Sequence, residues 1–165
     1  MIMGREVRMV PPNWDHPKKE GWSDGRLQPM YERRYDEARI EWIEGFMAHK
    51  PEEHDGLDFW EYDGMPPNRE YFQPFQKSEA TWFQLWETVS EGTPVSPPFA
   101  TAEELAQHLA VHGDDWDVRR GHGGWGIERA RAFLSVGWAP SAAVLDGKFL
   151  ESKDIPLTLG GSNGK

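Results

Sequence analysis

The chain has 165 residues, of which 38% are hydrophobic and 28% charged, and its formal net charge is −10. This length is typical of one domain that buries about 70% of its unfolded surface. The absence of cysteine excludes disulfides, thiolate nucleophiles and cysteine-ligated metal centres. The negative charge disfavours binding to duplex nucleic acid, because the phosphates would repel it.

Neither a membrane segment nor a signal peptide is expected. The longest apolar run, residues 142–145, is far shorter than the ~20 residues of a membrane span. The first residues, MIMGRE, carry charges where a signal peptide has an apolar region. The sequence therefore predicts a soluble cytoplasmic protein. Separately, we expect it to be a monomer or a dimer.

The first segment with helical periodicity follows an irregular opening that is rich in proline and glycine. Residues 10–25 contain Pro, Gly, Asn and Asp in turn-forming combinations. From about residue 32 to residue 47, apolar side chains recur at helical spacing, which predicts an amphipathic helix. The stripe that we expect to face the core consists of Tyr35, Ala38, Trp42 and Phe46. Residues 58–77 return to loop, with a second Pro-Pro-Asn sequence at 66–68.

Two segments follow in the middle of the chain, and the sequence predicts the secondary structure of the second more clearly than that of the first. Residues 81–89 are rich in aromatic and β-branched side chains, which favours a strand, with a helix as the alternative. The next segment is a helix entry: Thr101 is placed to cap the first turn and Glu104 to complete the capping box. That helix should continue to about His112 and end at Gly113.

The last third predicts a helix at about 127–136 and a hairpin whose turn is Asp146-Gly147. Residues 158–165 are expected to form a flexible tail after a single globular domain, residues 1–157. Together these elements predict an α+β fold with about three helices, a small antiparallel sheet and irregular proline-rich loops. The predicted core contains Tyr35, Trp42, Phe46, Phe83, Leu85, Leu105, Leu109, Phe133 and Leu134.

Most of the negative charge is concentrated in one segment. Residues 51–117 hold fifteen carboxylates and two basic residues, a local net charge of −13, interleaved with eleven aromatic side chains. An acidic surface with large aromatic groups suits a protein partner better than a phosphate-rich one. The acidic residues that we expect to contact a partner are Glu52, Glu53, Asp55, Asp58 and Glu103.

A metal site is the alternative use of the histidines. His108 and His112 are four residues apart on the predicted helix, so their side chains share a face, and Asp114 and His122 follow closely. No cofactor is expected; two imidazoles and a carboxylate would suit zinc or iron(II), and zinc is the metal that we retain as the alternative. The catalytic glutamate of the His-Glu-x-x-His motif is missing, because Leu109 follows His108. The competing interpretation is that the two histidines are solvated near a helix end. In that case Asp114, Asp115 and Asp117 also lie on a solvated face.

The segment just before the predicted helix at 127–136 is a candidate anion site. Glycines that let backbone amides converge, together with two arginines, can hold an anion at a helix start. The segment matches neither the P-loop nor the dinucleotide-binding pattern, so a tight loop with Trp125 packed inward is the alternative. The residues of this candidate site are Arg119, Arg120, Gly121, Gly123 and Gly124.

Four motifs at separate positions in the sequence resemble those of a known group of proteins. They are VPPNWDHP at 10–17, DGMPPN at 63–68, residues 82–99 running into the helix entry, and GWAPS at 137–141. Over residues 5–155 the chain resembles a widespread group of small proteins encoded by tailed bacteriophages and prophages, a group without an assigned activity. The resemblance implies a phage accessory protein in the bacterial cytoplasm and transfers no catalytic residue.

These observations favour a phage-encoded protein that binds a host protein, for example a counter-defence inhibitor that presents an acidic aromatic face. One alternative is a small metal- or nucleotide-dependent enzyme that uses residues 108–122. Another is a minor component of the virion, although the sequence contains neither a coiled coil nor a repeat. Catalysis is not predicted, because no nucleophile motif or close carboxylate pair is present.

Overall fold

The computed structural model describes residues 4–88, 91–136, 138–140, 142–145 and 148–151, the last three ranges as strands only. The helices are α1 (Tyr35–Ala48), α2 (Phe59–Tyr62), α3 (Ala102–His112), α4 (Asp115–Arg120) and α5 (Ile127–Val136). The strands are β1 (Gly4–Val10), β2 (Tyr31–Arg34), β3 (Phe72–Gln73), β4 (Trp82–Glu87), β5 (Thr93–Pro94), β6 (Trp138–Pro140), β7 (Ala142–Leu145) and β8 (Lys148–Glu151). The predicted α+β class is confirmed.

A four-stranded antiparallel sheet lies at the centre, in the order β5-β4-β1-β6. β1 pairs with β4 along its length, from Arg5 opposite Glu87 to Val10 opposite Trp82. The aromatic segment that could have been strand or helix is therefore a strand. Its β-preferring side chains lie on a pleated surface that is largely buried on both faces.

Helices α3 and α5 pack against this sheet and bury the main hydrophobic core. Helix α3 begins and ends as predicted, with a capping box between Thr101 and Glu104 and with Gly113 at φ +72° after the last turn. Helix α5 also has its predicted bounds. The buried residues of this core are Leu85, Val95, Leu105, Ala106, Leu109, Ala130 and Phe133, so four of the predicted core residues are confirmed as fully buried.

Helix α1 contradicts the predicted core in part. Ala38 is its only buried residue, and Phe46, a predicted core residue, has 47% of its surface exposed. The helix is apolar in several directions, because Ile40 and Ile43 are exposed as well. One layer of neighbouring structure can cover only one of these directions. The remaining apolar side chains of α1 are left facing solvent.

The aspartates that follow α3 correct a second prediction. Asp114, expected on a solvated face, retains only 2% of its surface. One carboxylate oxygen accepts the amides of Trp116 and Asp117 and so caps α4. The other accepts a hydrogen bond from Arg5 Nε at 2.7 Å, an ion pair that is buried on both sides. The acid therefore joins β1 to α4 inside the protein.

A second core lies under the opening loop and contains a buried histidine. His16 is packed edge-on against Trp86 and Trp14, with ring centroids 4.9 and 6.0 Å away. Its Nδ1 accepts a hydrogen bond from Trp14 Nε1 at 3.2 Å, and its Nε2 lies 2.7 Å from the carbonyl oxygen of Gln28. These partners require a neutral ring with the proton on Nε2. Burial lowers the pKa of His16 below its usual value.

The His16 arrangement predicts a pH dependence of stability. Because the folded-state pKa is the lower one, the unfolded chain binds the proton more readily, so stability is lost as pH falls from about 6.5 toward the folded value. We expect His16→Gln to show a smaller loss than the parent between about pH 7.5 and 5.5. Urea denaturation at the two pH values measures this difference. An unchanged difference in His16→Gln would show that other groups cause the pH dependence.

The predicted C-terminal hairpin is represented by β7 and β8, which pair antiparallel from Ala142 opposite Glu151 to Leu145 opposite Lys148. Its predicted Asp146-Gly147 turn lies outside the described residues, as does the predicted tail, residues 158–165. Among the residues that are described, no helix has the length and apolar character needed to cross a membrane.

Candidate protein-interaction surface

Helices α1 and α2 pack closely through aromatic side chains. Phe59 of α2 is buried against Gly45 of α1, where an added Cβ would lie only 2.8 Å from the Phe59 ring. Trp42 and Phe46 contact the same ring, with centroid distances of 5.3 and 5.9 Å. A residue larger than glycine at position 45 would push the two helices apart. The close approach fixes the relative position of the side chains on the outer side of both helices.

Many large apolar side chains of this helix pair and its flanking loops are exposed. Trp60 retains 49% of its surface, Met47 80% and Met65 77%. We call the exposed apolar side chains of this region the α1–α2 surface, which consists of Ile40, Ile43, Phe46, Met47, Leu57, Trp60, Tyr62 and Met65. Single exposed apolar residues are ordinary in proteins, whereas several on adjacent helices indicate a site of interaction.

The segment that carries the α1–α2 surface is rich in carboxylates. Residues 40–65 contain eight acids and one lysine, a net charge of −7 with histidines neutral. Four of the five predicted partner-binding acids lie here and are exposed: Glu52, Glu53, Asp55 and Asp58. Glu53 pairs with Lys50 at 2.8 Å, and Asp58 precedes α2, where it forms a capping box with Glu61. The exposed carboxylates of this segment give this part of the molecule a strongly negative potential.

Glu103, the fifth predicted acid, lies elsewhere. It is on α3, where its carboxylate accepts two hydrogen bonds from Arg131 of α5 at 2.5 and 3.1 Å. These hydrogen bonds, followed by one from Gln107, lower the pKa of Glu103. Its charge is thus paired between two helices of the main core, and the structure does not bring it together with the other four acids.

The four candidate metal ligands are not assembled. The rings of His108 and His112 are 5.0 Å apart, as expected for neighbours on one helix face. Asp114, however, is bonded to Arg5, and His122 Nδ1 lies 3.5 Å from a carboxylate oxygen of Asp117. In the part of the chain that the structure describes, no three metal-binding side chains gather at one point. Burial, and then the nearby His112, lower the pKa of His108.

The predicted anion loop is closed against α3. The amides of Trp125 and Gly126 donate to the carbonyl oxygens of Leu109 and Ala110 at 2.9 and 3.1 Å. Gly124 approaches so closely that an added Cβ would lie 2.1 Å from the Ala110 oxygen. These contacts satisfy carbonyls that end α3. Two of the amides in this segment are therefore used within the protein, and an anion site there stays a prediction.

The other residues proposed for the anion site have structural surroundings of their own. Gly121, at φ +66°, is the left-handed residue that ends α4. Gly123 also has a positive φ, +73°. The guanidinium groups of Arg119 and Arg120 lie 5.1 and 5.7 Å from the centre of the Trp116 ring, within reach of a cation–π contact.

Sequence reasoning missed a polar cleft of about 500 Å³ beside α4. Glu87 lines it and accepts hydrogen bonds from Trp116 Nε1 at 2.9 Å and Thr93 Oγ1 at 2.8 Å. Asp115 also lines it, and burial raises the pKa of that carboxyl group. Arg26 and Arg119 complete the mixed charge of the walls. These residues come from three distant segments, so no local pattern could have indicated the cleft.

A second groove, about 460 Å³ in volume, adjoins the α1–α2 surface. It lies between β2, α1 and the loop that follows α2, and Trp42 and Met65 contribute to its walls. The indole Nε1 of Trp42 donates to the carbonyl oxygen of Gly64 at 3.1 Å and holds the loop against α1. In the sequence, this part of the molecule is indicated by apolar residues on several sides of α1. A helix that buries only one face does not need so many apolar residues.

Comparison of the chain with protein-family models, with curated proteins and with solved structures found no match.

Proposed function

We propose that this protein is a binding module that recognises a basic surface of a partner protein through the α1–α2 surface. The observation that supports the proposal is the combination of exposed Phe46, Met47, Trp60 and Met65 with a net charge of −7 over residues 40–65. Aromatic and methionine side chains are enriched in protein interfaces, and tryptophan and tyrosine are common hot spots.

The charge favours a different protein over a second copy of this chain. In a symmetric dimer through this surface, two patches of net charge −7 would face each other. Like charges brought together across an interface cost several kcal/mol. A partner rich in lysine and arginine would instead be attracted, and the apolar side chains would then bury their surface against it.

The resemblance to phage-encoded proteins makes a bacterial host protein the proposed partner, bound in the cytoplasm. Host proteins with strongly basic surfaces include those that bind nucleic acids, because lysine and arginine neutralise phosphates. An acidic module that covers such a surface would compete with the nucleic acid. We therefore propose inhibition of a nucleic-acid-binding host protein, for example one that acts in defence.

A capture experiment with two charge-matched variants tests the proposal. The surface variant is Glu44→Lys with Glu52→Lys, and the control is Glu20→Lys with Glu128→Lys; all four positions are exposed and the net charge changes equally. We expect the parent and the control to retain the same basic protein from bacterial lysate, and the surface variant to lose it. Retention should also weaken at high salt, because exposed charges are screened.

The outcomes of this capture separate the proposal from unspecific attraction. Loss of the partner by both variants would show that net charge alone holds it, and equal retention by both would place binding elsewhere on the molecule. Competition by duplex DNA or RNA for the captured protein would support the proposed inhibition. A captured protein that binds nucleic acid and this chain at the same time would contradict inhibition.

A further inference from the structure

The groove beside Trp42 has walls of aromatic rings and carboxylates. The rings are those of Tyr31, Trp42, Tyr71 and Phe72, and the acids are Glu41, Asp63 and Glu91. Tyr31 and Phe72 are opposite each other in the β2–β3 pairing, and their ring centroids are 5.3 Å apart. The volume of about 460 Å³ is within the range of clefts that hold a ligand or a short segment of chain.

Some charged side chains of the groove form an ion pair and others do not. Arg33 Nη2 lies 2.6 Å from a carboxylate oxygen of Glu41, so these two charges neutralise each other. The side-chain carboxylates of Asp63 and Glu91, which both line the groove, have no ion pair or hydrogen bond with any other described residue. The groove thus presents two carboxylates without an ion pair, of which Asp63 belongs to the acidic segment 40–65, and the other acids of that segment add to the negative potential.

Two tyrosine rings at or near the groove each lie close to a cationic side chain of the protein. The guanidinium of Arg69 lies 4.4 Å from the centre of the Tyr35 ring, and Lys19 Nζ lies 5.8 Å from that of Tyr71. Aromatic faces attract cations through their quadrupole, more strongly where water is partly excluded. A lysine or arginine side chain in the groove would combine this attraction with an ion pair to Asp63.

We propose that the groove is the anchor site for a lysine or arginine side chain of the basic partner. This inference rests on the proposed function, because it names the element of the partner that the α1–α2 surface recognises. The apolar stem of either side chain would lie along Met65 and Trp42, and its charged end would reach Asp63. A neutral or acidic side chain would leave the Asp63 charge unpaired and bind more weakly.

The test uses blocked trilysine, Ac-Lys-Lys-Lys-NH₂, and the same peptide with every side-chain amine acetylated. The indole N–H resonances of Trp42 and Trp60 in ¹⁵N-labelled protein report on the groove and on the outer surface, and Trp42→Phe and Trp60→Phe assign them. We expect trilysine to shift the Trp42 resonance in a saturable manner and the acetylated peptide to leave it in place. Asp63→Asn should weaken trilysine binding about twofold to fivefold.

Glu52→Gln is the matched control, because it removes one negative charge from the acidic segment 40–65 at a position that does not line the groove. If Asp63→Asn and Glu52→Gln weaken binding equally, or if only Trp60 shifts, lysine is not anchored in the groove, although the proposed function stands. An equal shift of Trp42 with the acetylated peptide would also overturn the inference, since the occupant would not be a cation. Capture of a basic partner that survives Asp63→Asn and Trp42→Phe unchanged would show that the partner does not use the groove.

Discussion

Replacing Asp114 by asparagine is expected to lower the free energy of unfolding by about 3 kcal/mol, because it leaves Arg5 buried without its countercharge. Both side chains of this ion pair are almost completely buried, with 5% and 3% of their surfaces exposed. Asparagine is itself a good helix cap, so the substitution preserves much of the capping of α4 and removes mainly the charge. Urea denaturation of the two proteins at neutral pH measures the difference.

An exposed ion pair provides the matched control. Asp36 is bonded to Arg34 at 3.0 Å, and both side chains are largely solvent-accessible. Asp36→Asn is therefore expected to change the free energy of unfolding by less than about 1 kcal/mol. Adding Arg5→Met to Asp114→Asn should recover part of the lost stability, since the unpaired buried charge is then gone. Similar losses in Asp36→Asn and Asp114→Asn would show that burial of the Arg5 pair has no special energetic role.

Local patterns in the sequence predicted those elements whose ends are determined by neighbouring residues. Helix α3 is the clearest case: Thr101, Glu104 and Gly113 act within one or two turns of where they stand, and each does what the pattern indicated. The β4 segment was open between strand and helix because its alternation is weak. Pairing with β1, almost eighty residues earlier in the chain, determines the strand.

Long-range partners account for most of what could not be predicted. The ion pair of Asp114 joins residues separated by 109 positions, and nothing near Asp114 distinguishes it from the exposed acids around it. For the candidate site, the sequence identified four acids that lie beside the α1–α2 surface and one, Glu103, that does not. The predicted acidic aromatic segment includes Trp60 and Tyr62, which are exposed, whereas the contribution of α1 was missed because Phe46 was assigned to the core.

Replacement by alanine at Phe133 and at Phe46 distinguishes a residue of the hydrophobic core from a residue of the proposed binding surface. Phe133 is 1% exposed and packs edge-on against Trp125, with ring centroids 5.5 Å apart. Its replacement by alanine removes a fully buried ring and leaves a cavity, which we expect to cost about 3–5 kcal/mol. Such a loss is a large fraction of the stability of a typical domain. A decrease in melting temperature of at least several degrees should follow.

Phe46→Ala should behave in the opposite way. About half of the Phe46 surface is already in contact with water, and its ring is stacked on Trp42 at a centroid distance of 5.5 Å. We expect a loss of only about 1 kcal/mol in stability, because little surface is transferred from the interior to water. Capture of the basic partner should fall strongly, since a ring that is exposed in the free protein would be buried in the complex. If Phe46→Ala unfolds the protein as readily as Phe133→Ala, or if it captures the partner as well as the parent does, the outer side of α1 is not the recognition surface.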